Sequence, residues 1–315
     1  MATQSTAVKD YATLSWSEFY DQQKEIELDG VAHLPVMIRY IIAGESSGGP
    51  TVLLLHGIPT WGFLYRHQIT PLVKAGFQVL VPDMLGHGFS DRRDRFDRSF
   101  QDQARMVCQL LKTLGLANDP TSTGGGSGRK IHVVGHDTGG AVALILAIEH
   151  PTIVERLVLT NIVCYDRFDD DMLDFGHPMR WKEKPIEDLK LALQESLNMG
   201  LVNRETQLTP GFAEGIMAPW LSEEGKLSLI RNASALNANQ TMALVDRHGN
   251  ITSPTLVLWA KHDPWQKWED GRQLASEIPC STFKTIENAS HWVQQDAPEE
   301  FTEEVLKFLQ CAIAG

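Results

Sequence analysis

Residues Gly135-His136-Asp137-Thr138-Gly139 set a carboxylate inside a frame of glycines, with Gly140 next. The frame predicts a sharp strand-to-helix turn that lifts one side chain above a sheet, with glycines where a Cβ would not fit. The run 130–134 before it reads as a strand and 141–147 after it as a helix. The raised side chain is then Asp137, where such turns usually carry serine. A carboxylate that attacks acyl carbon leaves a mixed anhydride and gains little. One that attacks saturated carbon leaves an alkyl ester, stable yet hydrolysable. Asp137 therefore directs attention to carbon–halogen bonds and epoxide carbon–oxygen bonds.

Such a turn needs a base, an orienting acid and donors for an oxyanion. The base is read as His291, between the last predicted strand and the last predicted helix. The acid is read as Asp263, just past the carboxyl end of a strand, where ligand groups gather in parallel sheets. The turn at His56-Gly57-Ile58-Pro59-Thr60 follows a buried strand and supplies the backbone N–H of Ile58. The N–H of Thr138 is the second donor. Singly, His291 reads equally well as a packed histidine, Asp263 as a helix cap and Gly57-Ile58-Pro59 as a plain turn. Three groups in the order nucleophile, acid, histidine, each at a strand end, favour the catalytic reading.

These residues need a scaffold, and the chain supplies one. Strand-like runs fall at 36–42, 51–55, 77–81, 130–134, 157–160, 255–259 and 282–286, and helical stretches at about 63–74, 100–115, 139–149 and 298–313. Alternating β and α units predict a mostly parallel sheet covered on both faces. Residues 165–250 lack strong strand runs and contain helical patterns near 186–193 and 223–232. They are read as a helical cap, inserted after the strand at 157–160, that roofs the site. The predicted division is a core of 1–164 and 251–315 with a cap of 165–250. The glycine-rich stretch 117–129 lacks a Gly-Lys-Ser/Thr ending and reads as a surface excursion.

Composition bounds the partners. The chain has 315 residues, 43% hydrophobic and 22% charged, with a net charge of −12. An acidic balance argues against nucleic acid or an anionic membrane as the main partner. The cluster Arg92-Arg93-Asp94-Arg95 is interrupted by acid and reads as a solvated loop. The four cysteines are scattered without metal-ligand spacing, and are read as buried free thiols in a reducing compartment. No basic region followed by an apolar run opens the chain, and no stretch approaches the ~20 apolar residues of a membrane span. The expectation is a cytoplasmic enzyme without cofactor or metal, acting on a small, largely apolar organic substrate. Oligomeric state is not visibly encoded.

The segments His56–Arg66 and Asp83–Asp91, together with the order Asp137, Asp263, His291, resemble the haloalkane dehalogenase and epoxide hydrolase group of α/β-hydrolase-fold proteins over nearly the whole chain. The resemblance implies an eight-stranded, mostly parallel sheet with flanking helices and an inserted helical cap. It also implies that Asn161 stands where some dehalogenases carry their acid, which leaves the acid to Asp263. Two departures concern the leaving group. Dehalogenases usually carry Trp after the nucleophile and often Asn at the place of Ile58; here the residues are Thr138 and Ile58. Epoxide hydrolases usually use two cap tyrosines, and only Tyr165 lies near the cap. Candidate pocket residues are His56, Trp61, Tyr165, His177, Trp181, Trp220 and Trp292, with Trp181, Trp220 or His177 as substitutes for the halide-binding indole. A core role for Trp181 and Trp220 is the alternative.

Three functions are compatible with this reading. The first is a two-step hydrolase with Asp137 as covalent nucleophile. The second is an ester or lactone hydrolase, or another proton-transfer enzyme, with Asp137 and His291 as a base pair. The third is a non-enzymatic receptor for a small ligand on the same scaffold.

Overall fold

The computed structural model describes residues 8–117, 130–168 and 170–311. The stretch 118–129, most of the predicted glycine-rich excursion, lies outside the described residues. The strands are β1 (Lys24–Leu28), β2 (Val36–Ala43), β3 (Thr51–Leu55), β4 (Gln78–Pro82), β5 (Ile131–Asp137), β6 (Val154–Ile162), β7 (Thr255–Ala260) and β8 (Ser281–Ile286). They form one eight-stranded sheet in the order β1-β2-β4-β3-β5-β6-β7-β8. β1 and β4 pair antiparallel with β2, and the neighbours from β4 to β8 run parallel.

The pattern in β3 explains the layering. Every residue of Thr51–Leu55 is buried. Val52 and Leu54 join the apolar core on one face, while Leu53 and Leu55 join the core on the other. A strand covered on both faces reads as a continuous apolar run for this reason. The helix Thr138–Glu149 is buried along nearly its whole length, and its sequence TGGAVALILAIE is accordingly apolar all round. It follows β5 directly, which brings its amino end under the predicted site. Phe100–Thr113 packs beside it, begun by Ser99, whose hydroxyl accepts from the Asp102 N–H.

The strand β1 was not among the runs read from sequence. Its residues Lys24-Glu25-Ile26-Glu27-Leu28 are short and charged, and only Leu28 is buried. Charges on a short edge strand discourage pairing with other chains, and they also hide the strand from a search for apolar runs. The cysteine expectation holds for Cys108 and Cys164; Cys280 and Cys311 are exposed.

Between β6 and β7 the described chain is helical, including Pro178–Trp181, Ile186–Met199, Pro210–Met217 and Glu223–Ser234. Two indoles stitch this excursion to the loop after β3. Trp61 Nε1 donates to Gly215 O at 2.7 Å, and Trp220 Nε1 donates to Pro59 O at 2.7 Å. Both tryptophans are fully buried, so each bond satisfies a polar group that water does not reach.

Candidate active site

Asp137 ends β5 with φ 52°. That left-handed backbone is rare for a residue with a side chain and lifts the carboxylate off the strand direction. The pairing with β6 shifts register between His136 and Asp137. The neighbouring glycine answers a close approach: a Cβ on Gly139 would strike the carbonyl oxygens of Leu55 and His56. Gly57 meets the same constraint from above, since a Cβ there would fall on the Asp137 carboxylate itself.

The Asp137 carboxylate is buried, and Ile58 N–H donates to its Oδ1 at 2.8 Å. Burial pushes its pKa above the ordinary carboxylate value, opposed by the charge of His291 and by the backbone amides of Thr138 and Ile58. Oδ1 is therefore held by the loop after β3.

His291 and Asp263 meet as the sequence order anticipates, with Nδ1 to Oδ2 at 2.8 Å. Asp263 is held by three further donors. Trp265 N–H and Gln266 N–H bond Oδ1 at 2.8 and 2.9 Å, and Asn161 Nδ2 bonds Oδ2 at 2.7 Å. An acceptor so placed fixes the imidazole proton on Nδ1 and leaves Nε2 as the basic nitrogen. His136, between the predicted strand and Asp137, is a packing residue: its Nε2 lies 2.9 Å from His291 O. Its burial holds it well below the usual histidine range, so it is neutral and donates from Nε2.

Asp137, His291, Ile58 and Thr138 line one small cavity. Val163, Phe168, Met172 and Leu236 make its walls largely apolar, while Ser196, Trp265 and Gln266 contribute polar atoms. The mixed lining, mostly apolar with a few polar atoms, is of the kind that receives small organic ligands. Sequence reading missed these wall residues. Trp265 and Gln266 carried a usable signal, since they follow Asp263 directly; the residues of the helical excursion carried none.

Of the seven pocket candidates, only Trp292 lines this cavity. His56 is a buried spacer whose Nε2 accepts from Met84 N–H at 3.0 Å. Trp61 and Trp220 are the two stitching indoles. Tyr165 turns away to donate to Glu277 at 2.8 Å. His177 is exposed at the start of a short helix. Trp181 donates to Asp174 at 3.0 Å and packs on Phe175. The indoles of Trp181 and Trp220 are thus committed elsewhere and do not replace a halide-binding tryptophan. Among the described residues no cluster of three or more His, Cys, Asp or Glu is placed to hold a metal ion, and no helix is long and apolar enough to cross a membrane.

Residues 50–298 match the family model of the alpha/beta hydrolase fold, so the chain belongs to that family. It is a hydrolase of the α/β-hydrolase superfamily. It is 26% identical to haloalkane dehalogenase 2 of Mycobacterium tuberculosis, over 86% of this chain and 90% of that protein. It is 27% identical to epoxide hydrolase 4 of Homo sapiens, over 86% of this chain and 75% of the relative. The structure of an alpha/beta hydrolase fold protein from Burkholderia ambifaria superposes with a TM-score of 0.78 at 23% identity, covering 90% of this chain and 97% of that one.

Proposed function

We propose that the chain is a cofactor-free hydrolase in which Asp137 attacks a saturated, electrophilic carbon of a small organic substrate. The observation that carries this reading is the 2.8 Å bond from Ile58 N–H to Asp137 Oδ1. If the donors served the carbonyl of an ester substrate, they would be free for that carbonyl. Here they rest on the carboxyl group of Asp137, where an oxyanion develops only if Asp137 itself becomes an ester and is then hydrolysed.

In the first step Asp137 Oδ2 bonds to the carbon while the carbon–halogen or carbon–oxygen bond breaks, its electron pair departing with the leaving atom. In the second, His291 Nε2 takes a proton from water and the resulting hydroxide adds to Asp137 Cγ. The tetrahedral oxyanion is held by the Ile58 and Thr138 amides. It collapses by breaking the Cγ–O bond to the alkyl group, and His291 returns the proton to the departing alcohol. Asp263 orients the imidazole and balances its transient charge. Residues 165–250 act as the cap of the chamber, contributing the walls at Phe168, Met172, Ser196 and Leu236.

Turnover in H₂¹⁸O tests the reading with a panel of haloalkanes and epoxides. Label should enter the Asp137 carboxylate, and His291→Gln should accumulate a substrate-sized adduct on the Asp137 peptide. Label confined to the product after many turnovers would sink the covalent step and return the site to direct water attack.

A further inference from the structure

His291 stands in a loop that is held from two sides. On the core side, Ser290 Oγ donates to His262 O at 3.0 Å and His262 N–H donates to Ala289 O at 3.0 Å. These bonds tie the loop to the segment that carries Asp263. On the other side the loop meets the end of the helix Ile186–Met199. Trp292 N–H donates to Gly200 O at 3.1 Å, and the Trp292 indole lies against Gly200. Ser196, one turn earlier on that helix, lines the cavity over Asp137.

The two segments are joined through a carboxylate that the proposed reaction does not itself use. Asp296 ends the short helix Val293–Asp296 and is buried. Its Oδ2 accepts from Ser290 N–H at 2.7 Å and from Val202 N–H at 2.9 Å, and its Oδ1 accepts from Asn203 N–H at 2.8 Å. Asn203 closes a second clasp over the first. Its Nδ2 donates to Asn288 O at 3.0 Å and to Asp296 O at 3.1 Å, and its Oδ1 accepts from Asn288 Nδ2 at 3.1 Å.

Three amide donors on one buried carboxylate make a directional anchor, because each bond is charge-assisted. Both oxygens are used, one for each of two directions. An asparagine at 296 would keep one acceptor oxygen and turn an NH₂ towards amide N–H groups, so it could not hold all three donors. Ser290 N–H is the amide just before His291, and the bond to it fixes the backbone from which the imidazole projects. The bond to Asp263 holds the ring at Nδ1 alone. A ring held at one edge still tilts with the chain that carries it, and a small tilt moves Nε2 off its target. The Trp292 ring meets the imidazole edge to face, with centroids 4.4 Å apart, and Trp292 is the residue that Gly200 holds.

We propose that Asp296 is a positioning residue for His291. It fastens the histidine loop to residues 200–203, so the imidazole is aligned by the end of the same helix whose Ser196 faces the cavity. The proposal rests on His291 being the base, which it is in the covalent reading and under direct water attack alike. Its test reads the imidazole proton and needs no turnover, so a negative ¹⁸O result does not decide it.

The full chain is labelled with ¹⁵N-histidine, and the proton on His291 Nδ1 is followed by NMR as the signal that His291→Gln removes. The proton that His248 Nδ1 shares with Glu277 serves as the internal control. Asp296→Asn should speed exchange of the His291 proton with water at least about tenfold and leave the His248 proton unchanged. A purely structural role would speed both together through global opening, or neither. Asn203→Ala keeps the Asp296 carboxylate and its three amides but removes the outer clasp. It should speed the His291 proton by a smaller factor, about threefold, again without effect at His248. Unchanged exchange at His291 in folded Asp296→Asn, or equal acceleration at both histidines, would overturn the proposal. Should Asp296→Asn fail to fold, Asn203→Ala decides alone, and an unaltered His291 proton there overturns it.

Discussion

Asn161 Nδ2 donates to the same carboxylate oxygen of Asp263 that meets His291 Nδ1, at 2.7 Å against 2.8 Å. Its own Oδ1 accepts from Ala260 N–H at 2.9 Å. Asn161 has φ 46°, a conformation asparagine tolerates better than most residues. The amide therefore anchors the acid to the start of its own loop. Asn161→Ala leaves a buried donor and acceptor each short of a partner, at a cost of about 1–3 kcal/mol. Urea unfolding midpoints read that loss. Asn161→Asp should instead set a second negative charge beside Asp263 and hold His291 protonated to higher pH. The acid limb of the pH–rate profile should then move upward, with slower turnover at neutral pH.

Gly57 is expected to be intolerant for a reason local to Asp137. A Cβ at this position meets the carboxylate, not the core. Gly57→Ala should therefore cost about 100-fold or more in turnover, the scale of a misplaced catalytic group or a lost oxyanion donor. Its melting temperature should change little by comparison. A large loss of stability with residual activity intact would contradict that division.

Burial raises the pKa of Asp137 in the folded chain above its unfolded value. The sign for stability follows. An acid whose folded pKa is raised favours the folded state most below its unfolded pKa, and that advantage is lost as pH rises through the folded pKa. Asp137→Asn removes the ionisation and keeps an oxygen for Ile58 N–H. It should raise the melting temperature at neutral pH, with the gain fading towards acid below the ordinary carboxylate range. Scanning calorimetry across pH checks both the sign and the fading.

Trp61→Phe keeps most of the apolar bulk and removes the donor to Gly215 O. Trp220→Phe does the same to Pro59 O. Each should cost about 1–3 kcal/mol through a buried carbonyl left without a donor. Denaturant unfolding of the single and double variants measures the coupling; strict additivity would show the two bonds to be independent.

The sequence made the scaffold legible where residues repeat a physical demand. Continuous apolar runs marked the strands buried on both faces, and the glycine frame marked the turn at Asp137. The pairing of His291 with Asp263 was anticipated from chain order alone, because each stands just past a strand end. The walls of the chamber were not legible. Trp61 and Trp220 have the composition of a pocket, but their N–H groups are consumed by distant carbonyls, and such a partner 154 or 161 residues away leaves no local trace. The edge strand β1 escaped because its charges suppress the apolar pattern that defines a strand.

The reciprocal indole bonds constrain how this chain is recombined with its relatives. Residues 59–61 and 215–220 each supply one donor and one acceptor to the other, so neither half is complete alone. A chimera that exchanges the helices after β6 but retains the native loop after β3 would inherit an orphaned carbonyl at Pro59 and an orphaned indole N–H at Trp61, beside the amide that grips Asp137. The unit of exchange is the pair of segments, and grafts drawn to that boundary should preserve the setting of Asp137 where grafts drawn at the helices do not.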